Sequence, residues 1–97
     1  MWIVLIHPLV LSEDLKRLDP SVSNQILRAL RKRLSADPKA YGHPLREEFS
    51  GLWRLRVGDY RVIYRIVENR VEVLVLKIGI RRDFEVYRQL VERLKRI

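Results

Sequence analysis

The fold is decided by the stretch LWRLRVGDYRVIY, residues 52–64. Apolar side chains alternate with basic or polar ones on both sides of Gly58-Asp59, which is the period of a half-buried β-strand. Gly58-Asp59 itself is a tight-turn signal between the two runs. The stretch therefore predicts a β-hairpin with strands over Leu52–Val57 and Tyr60–Val67.

Further strands are predicted on both sides of this hairpin. The run Val71–Ile78 follows a plausible turn at Glu68-Asn69 and extends the hairpin into a three-stranded antiparallel meander. Near the start of the chain, Trp2–Ile6 is a short apolar run rich in β-branched residues, and His7-Pro8 ends it. This run is typical of a buried strand.

Helices are predicted before and after the meander. Ser12, which precedes two acidic residues, indicates the start of a short helix. A second helix covers about Pro20 to Ala36, where apolar residues recur at three- and four-residue spacing. A last helix covers about Asp83 to Lys95. The order β-α-α-β-β-β-α predicts one α+β domain over residues 1–97, a twisted antiparallel sheet with two N-terminal helices and a C-terminal helix. The helices are expected on one face of the sheet, which leaves the other face open.

The charge balance points to a polyanionic partner. Lys and Arg number 20 against 12 for Asp and Glu, a formal net charge of +8. Nucleic acid and an acidic protein both fit this excess. Cysteine is absent, which excludes thiolate catalysis and disulfides and suits a reducing compartment. The apolar start of the chain is too short to span a bilayer and has no basic leader, so the cytoplasm is the expected location.

Several arginine side chains lie on the first two strands of the predicted meander. Alternation places Arg54 and Arg56 together on the first strand of the meander, and Arg61 lies on the next strand. A guanidinium binds phosphate oxygens in a bidentate manner, although arginines on an antiparallel sheet also simply face water. No glycine-rich phosphate loop or metal-ligand pattern occurs, and His7 and His43 are expected to be structural. Neither a metal nor another cofactor is predicted.

Two stretches resemble the RelE/ParE toxin superfamily. They are residues 44–64, of which LRVGDYRVIY at 55–64 is the most specific part, and IGIRRDFEVY at 78–87. The predicted element order also matches, so the resemblance covers nearly the whole chain. The RelE branch implies the toxin of a type II toxin-antitoxin system. Such toxins are ribosome-dependent endonucleases that cleave the mRNA codon in the A site by attack of a 2′-hydroxyl, which inhibits translation.

The resemblance also implies roles for individual residues. Arg61 falls on an arginine that stabilises the transition state, Arg81 on a basic residue that acts on the scissile phosphate or leaving group, and Tyr87 on the general base. RNA-binding roles are implied for Arg46, Arg54, Arg56 and Arg82. Relatives often carry lysine at the positions of Arg54 and Arg56. Because arginine cannot shuttle protons at any accessible pH, these two are expected to act through charge alone.

Two other functions stay open at this point. The ParE branch has the same fold but inhibits DNA gyrase without nuclease activity, and it usually lacks the full set of arginines with Tyr87. A third possibility is a degenerate toxin that only binds its partners, with Tyr87 as a packing aromatic. The expected partners are a RelB-like antitoxin with an acidic toxin-binding segment, the ribosomal A site with its mRNA, and operator DNA only through the antitoxin. No membrane partner is expected.

Overall fold

Five strands form one open sheet in the computed structural model, which describes residues 1–80 and 85–97. The strands are β1 (Ile3–Ile6), β2 (His43–Pro44), β3 (Leu52–Val57), β4 (Tyr60–Val67) and β5 (Glu72–Ile80). Their order in the sheet is β1-β5-β4-β3-β2, and only β1 runs parallel to its neighbour. The predicted antiparallel meander is confirmed. The sheet as a whole is mixed because the long helical connection after β1 lets that strand lie parallel to β5.

Helical segments occupy the connections as follows among the described residues. The α-helices are α1 (Pro20–Ala36), α2 (Pro38–Tyr41) and α3 (Glu85–Lys95), and a π-helical turn (Val10–Asp14) and a 3₁₀ turn (Leu15–Arg17) join β1 to α1. The predicted bounds of α1 are confirmed, whereas the predicted start of α3 at Asp83 lies outside the described residues. Ser12 lies within the π-helical turn and does not begin it, because the His7 Nδ1 atom accepts a hydrogen bond from the Leu9 N–H at 3.1 Å and caps the segment earlier. In the part of the chain that the structure describes, no helix is long and apolar enough to cross a membrane.

The two turns of the meander differ in geometry. Gly58 opens the two-residue loop between β3 and β4 with φ +58°, a conformation that glycine adopts without steric cost. The turn predicted at Glu68-Asn69 is a longer 3₁₀ turn, Glu68–Arg70, and it ends at Val71 with φ +53°. Only the first of the two is therefore the tight hairpin loop that the sequence predicts.

One face of the sheet packs against α1. Buried side chains from α1 meet buried side chains from the three long strands: Ile26, Leu30, Leu34, Leu55, Val57, Val62, Tyr64, Val73, Val75 and Ile78. The alternation of β3 and β4 brings these apolar residues to one side. Each fully buried aliphatic side chain contributes about 1.5–3 kcal/mol, so this layer supplies most of the core.

The sequence predicted that the opposite face is open. In the structure, α3 packs on part of this face. Val86 and Leu90 of α3 are buried against Leu52, Ile63 and Leu76 of the sheet. These three apolar residues lie on the same face as the arginines of β3 and β4. Helix α3 covers the apolar part of the face, and the arginine-bearing part lies beside it.

A β-bulge in β5 changes which side chains face each layer. Ile63 pairs with Lys77 and Tyr64 pairs with Val75, so Leu76 has no partner of its own across the ladder. Ile78 therefore joins the α1 side with Val75, although strict alternation would send it to the other side. Leu76 is left on the α3 side.

A buried ionic cluster connects the helical segment after β1 with β5 and α3. The Asp14 carboxylate accepts hydrogen bonds from Lys77 Nζ at 2.9 Å and from both terminal nitrogens of Arg93 at 2.8 and 3.1 Å. It also accepts the Ile78 N–H at 2.9 Å, and Arg93 donates a further bond to the Leu76 carbonyl at 3.0 Å. The Asp14, Lys77 and Arg93 side chains are 1%, 6% and 3% exposed. Asp14 thus occupies the edge of β5 beyond the end of β1, where no strand covers it.

We expect Arg93→Met to lower the free energy of unfolding by about 3–5 kcal/mol, because it removes two of the four donors to the buried Asp14 carboxylate and the guanidinium that donates to the Leu76 carbonyl. The control is Arg88→Met on the same helix. Arg88 is 79% exposed and, among the described residues, pairs with Glu85, so its loss should cost no more than about 0.5 kcal/mol. Urea denaturation of both variants measures the difference. Equal midpoints for the two variants would contradict the assigned role of the cluster.

A second expectation concerns pH. The hydrogen bond from Arg96, with the nearby charges of Arg96 and Arg93, lowers the pKa of Glu13 from 4.5 to about 2 in the folded protein. A carboxyl whose pKa is depressed by folding stabilises the folded state above its unfolded pKa, and this stabilisation is lost as pH falls toward the folded pKa. The urea midpoint of wild type should therefore exceed that of Glu13→Gln at about pH 6, and the two should converge at about pH 2. A gap that stays constant over this range would contradict the assignment.

Candidate functional site

Three arginines lie side by side on the face of the sheet that also carries α3. Arg56 of β3 is directly opposite Arg61 of β4, and Arg54 is opposite Ile63. Ile63 packs under α3, which fixes the face that these side chains share. Residues directly opposite each other on antiparallel strands have Cβ atoms about 4.5–5.5 Å apart, so these strands concentrate positive charge in a small area.

Tyr87, in the first turn of α3, lies against two of these arginines. The Arg54 guanidinium donates a hydrogen bond to the Tyr87 hydroxyl at 3.4 Å. The Arg61 guanidinium carbon is 5.5 Å from the centroid of the Tyr87 ring, a cation–π contact. The structure therefore brings together three of the predicted site residues, one from each of β3, β4 and α3. We call Arg54, Arg56, Arg61 and Tyr87 the arginine–tyrosine cluster.

Arg54 and Arg61 carry positive charge that no carboxylate of the described residues neutralises. Within residues 1–80 and 85–97, neither Arg54 nor Arg61 forms a salt bridge. The Nε atoms of both arginines are buried and have no hydrogen-bond partner among these residues. Guanidinium groups held in this state form strong charge-assisted bonds with an anion that reaches them. The cluster is suited to bind phosphate.

Arg46 and Arg56 are predicted site residues that are exposed to solvent. Arg46 is exposed, and its carbonyl accepts the Phe49 N–H at 3.1 Å as the chain enters the 3₁₀ turn Glu47–Phe49. Arg56 is also exposed, and its carbonyl accepts a bond from Arg33 at 3.3 Å. Arg81 and Arg82 lie outside the described residues, and the roles implied for them stay predictions.

No site role was predicted from the sequence for two residues beside the cluster: Phe49 was not singled out, and His43 was expected to be structural. The Phe49 ring lies 5.9 Å from the Tyr87 ring at an interplanar angle of 33°, so the two aromatic rings pack together. His43 is directly opposite Arg54 in the pairing of β2 with β3. No spacing in the sequence predicts either contact, because residues 39–44 have the composition of a loop and hide the two-residue strand β2.

No metal site accompanies the cluster in the ranges that the structure describes. Over residues 1–80 and 85–97, no three histidine, aspartate or glutamate side chains come together as ligands for a metal ion would. The groups that the described part of the cluster offers to a substrate are guanidinium cations and a phenol.

A sheet flanked by helices on both faces is the fold expected of the small toxins of the RelE/ParE superfamily. Residues 4–83 match the family described as "ParE toxin of type II toxin-antitoxin system, parDE", and the chain belongs to this family. It is a type II toxin-antitoxin toxin of the RelE/ParE superfamily.

Named relatives and solved structures agree with this membership. The chain is 34% identical to Toxin RelG of Mycobacterium tuberculosis over 76 residues, which cover 78% of the chain and 85% of RelG. It is 35% identical to Toxin RelE of the same organism over 65 residues, 65% of the chain and 67% of that toxin. The crystal structure of the M. tuberculosis RelBE2 toxin-antitoxin complex matches with a TM-score of 0.77 and 30% identity, over 82% of this chain and 98% of that one. A free mutant of E. coli RelE matches with a TM-score of 0.71 over 96% of this chain and 97% of its own, but its 23% identity shows the fold alone.

Removal of the hydroxyl should destabilise the protein much more at Tyr64 than at Tyr87. Tyr64 is fully buried, and its hydroxyl donates to the Pro38 carbonyl at 2.6 Å. Burial, together with the charge of Asp37, raises the pKa of Tyr64 above its ordinary value. We expect Tyr64→Phe to cost about 1–3 kcal/mol of stability, because the buried carbonyl loses its donor. Tyr87→Phe loses a long, part-buried hydrogen bond and should cost no more than about 0.5 kcal/mol.

Urea denaturation of the two phenylalanine variants tests this difference. It also shows whether Tyr87→Phe keeps its fold, which activity measurements on that variant require. A loss for Tyr87→Phe as large as that for Tyr64→Phe would mean that Tyr87 is mainly a structural residue.

Proposed function

We propose that this toxin is a ribosome-dependent endoribonuclease that cleaves mRNA in the A site by attack of the 2′-hydroxyl on the adjacent phosphate. The observation that carries the proposal is the contact of Tyr87 with Arg54 and Arg61 on one surface. Relatives named RelG and RelE support it, since they are similar over most of the chain.

The chemistry needs three things, and the arginine–tyrosine cluster offers two of them. The attacking 2′-hydroxyl must lose a proton, the phosphorane with its extra negative charge must be stabilised, and the leaving 5′-oxygen must gain a proton. Arg54, Arg56 and Arg61 can stabilise the phosphorane, because guanidinium groups placed where negative charge develops favour the transition state. Tyr87 accepts the proton of the 2′-hydroxyl as a phenolate. The arginines cannot exchange protons, so charge is their whole contribution.

Tyr87→Phe should slow cleavage by about 10²–10⁴-fold, the usual contribution of a positioned general base. Arg61→Gln should slow it by about 10²–10³-fold, the usual contribution of a single charge stabiliser. The matched control is Arg65→Gln, because Arg65 lies on the same strand and the same face but pairs with Leu52 and Leu74, away from Tyr87. Mapping of mRNA ends on translating ribosomes measures all three variants.

The same experiment separates the other functions. The matched family is described by the name ParE, and the ParE branch is directed at DNA gyrase, so inhibition of gyrase is the second candidate. Intact mRNA together with inhibited gyrase would support that branch. Intact mRNA with active gyrase would support a toxin that only binds its partners. Unchanged cleavage by both Tyr87→Phe and Arg61→Gln would remove the cluster from the mechanism.

We further propose that an antitoxin with an acidic binding segment neutralises this toxin. The M. tuberculosis RelBE2 structure is a toxin-antitoxin complex, and the present chain carries a net charge of +8 that an acidic segment complements. The arginine–tyrosine cluster is one docking position. The edge strand β1 is another, because its Ile3 and Leu5 side chains are 56% and 41% exposed. Operator DNA would be bound only through that antitoxin.

A further inference from the structure

The leaving 5′-oxygen needs a proton that the predicted cluster does not supply. Arg54, Arg56 and Arg61 stay protonated at any accessible pH, and Tyr87 has to accept a proton rather than donate one. A second side chain that exchanges protons near neutral pH would complete the reaction. Histidine is the side chain best suited to that task.

His43 lies where such a residue is needed. It is directly opposite Arg54 in the β2–β3 pairing, and Arg54 is the arginine that donates to the Tyr87 hydroxyl. Residues directly opposite on antiparallel strands point to the same face of a sheet. His43 and Tyr87 therefore lie on two sides of the same arginine.

The residues next to His43 in the chain also indicate that it lies on the face of the sheet that carries α3. A Cβ atom on Gly42 would collide with the Tyr64 hydroxyl, so position 42 is directed toward the α1 side. Leu45 packs with the α3-side cluster, and its N–H continues the ladder by donating to the Leu52 carbonyl at 2.8 Å. Alternation between these two positions places His43 on the α3 side, and the residue is exposed to solvent.

We propose that His43 is the general acid of the cleavage reaction, an assignment that rests on the proposed nuclease function. In this step Tyr87 takes the proton of the 2′-hydroxyl, and the 2′-oxygen forms a bond to phosphorus. The bond from phosphorus to the 5′-oxygen breaks, and the 5′-oxygen takes the proton of the His43 imidazolium. The products are a 2′,3′-cyclic phosphate and a free 5′-hydroxyl, with neutral His43 and Tyr87 as a phenol.

The charges around His43 suit this role only when substrate is bound. The charged or titratable groups on the elements packed against β2 are Arg54 and Arg56 of β3 and Lys39 and Tyr41 of α2, and Arg46 follows in the chain. All four of the charged ones are cations. A phosphate held by Arg54 would bring negative charge beside the imidazole and offset the charge of these cations.

The test compares two leaving groups. Ribosomes are programmed with an mRNA that carries either the natural linkage or a bridging 5′-sulfur at the scissile A-site phosphate. A thiolate leaves without protonation because a thiol is a far stronger acid than an alcohol. His43→Gln should cleave the natural linkage about 10²-fold or more slowly than wild type, and should cleave the sulfur linkage at nearly the wild-type rate. Tyr87→Phe should be slow on both linkages, since its step precedes departure of the leaving group.

Pro44→Ala is the control, because Pro44 occupies the neighbouring position of β2 and points to the opposite face. It should cleave both linkages as wild type does. Wild-type cleavage of the natural linkage by His43→Gln would overturn the proposal. A defect equal on both linkages, in a variant whose urea midpoint matches wild type, would also overturn it and leave the nuclease function standing. Absence of cleavage by the wild-type toxin would instead refute the nuclease function, and the role of His43 with it.

Discussion

The Asp14 carboxylate, buried between Lys77 and Arg93, is the interaction on which the rest of the structure depends. It joins the helical segment after β1 to α3 and to the edge of β5 that β1 leaves uncovered. These elements lie up to 79 residues apart in a chain without disulfides. Burial of three charges is costly unless every one has partners, and here Asp14 accepts four hydrogen bonds. Such a cluster adds less net stability than an apolar core would, but it fixes geometry. Arg93 follows Tyr87 by six residues, about 9 Å along the helix, so the same contact that holds α3 also sets the position of the phenol.

The sheet carries two different layers because strand alternation separates them. On the α1 side, β3 and β4 contribute only apolar and aromatic residues to a continuous core. On the other side the same strands contribute Leu52 and Ile63 to the α3 contact and arginines beyond it. Arginines directly opposite each other, such as Arg56 and Arg61, repel and reduce stability. The core on the α1 side can offset that loss, and for this reason a 97-residue protein can keep a cationic surface that favours anion binding over stability.

Local sequence patterns predicted β3, β4 and α1 to the residue, because two periodicities and the Gly58-Asp59 turn determine them without help from distant residues. The sequence predicted a last helix but wrongly placed all helices on one face of the sheet, since the contact of α3 depends on Leu52, Ile63 and Leu76 across the chain. The Asp14–Arg93 pair could not be predicted at all, because it is a tertiary contact between residues with no shared motif.

Arg54, Arg61 and Tyr87 were named from a resemblance, and the structure brings them together, while their catalytic roles stay predictions. Phe49 and His43 were missed because their positions follow from strand register rather than from any local pattern.

The difference between a nuclease and a binding protein on this fold depends on very few side chains. Arginines attract and hold phosphate, but a site made only of guanidinium groups cannot transfer a proton. Similar folds at 23% identity therefore say little about chemistry, since the fold determines where charges lie and not which of them titrate. In the described part of this protein, Tyr87 and His43 are the titratable side chains that adjoin Arg54, one contacting it from α3 and one opposite it on β2. Since 2′-hydroxyl attack requires one proton to be removed and another supplied, two such groups around a shared arginine are the minimum that this reaction needs. The proposed chemistry therefore depends on how the two-residue edge strand β2 pairs with β3 as much as on the arginines of β3 and β4.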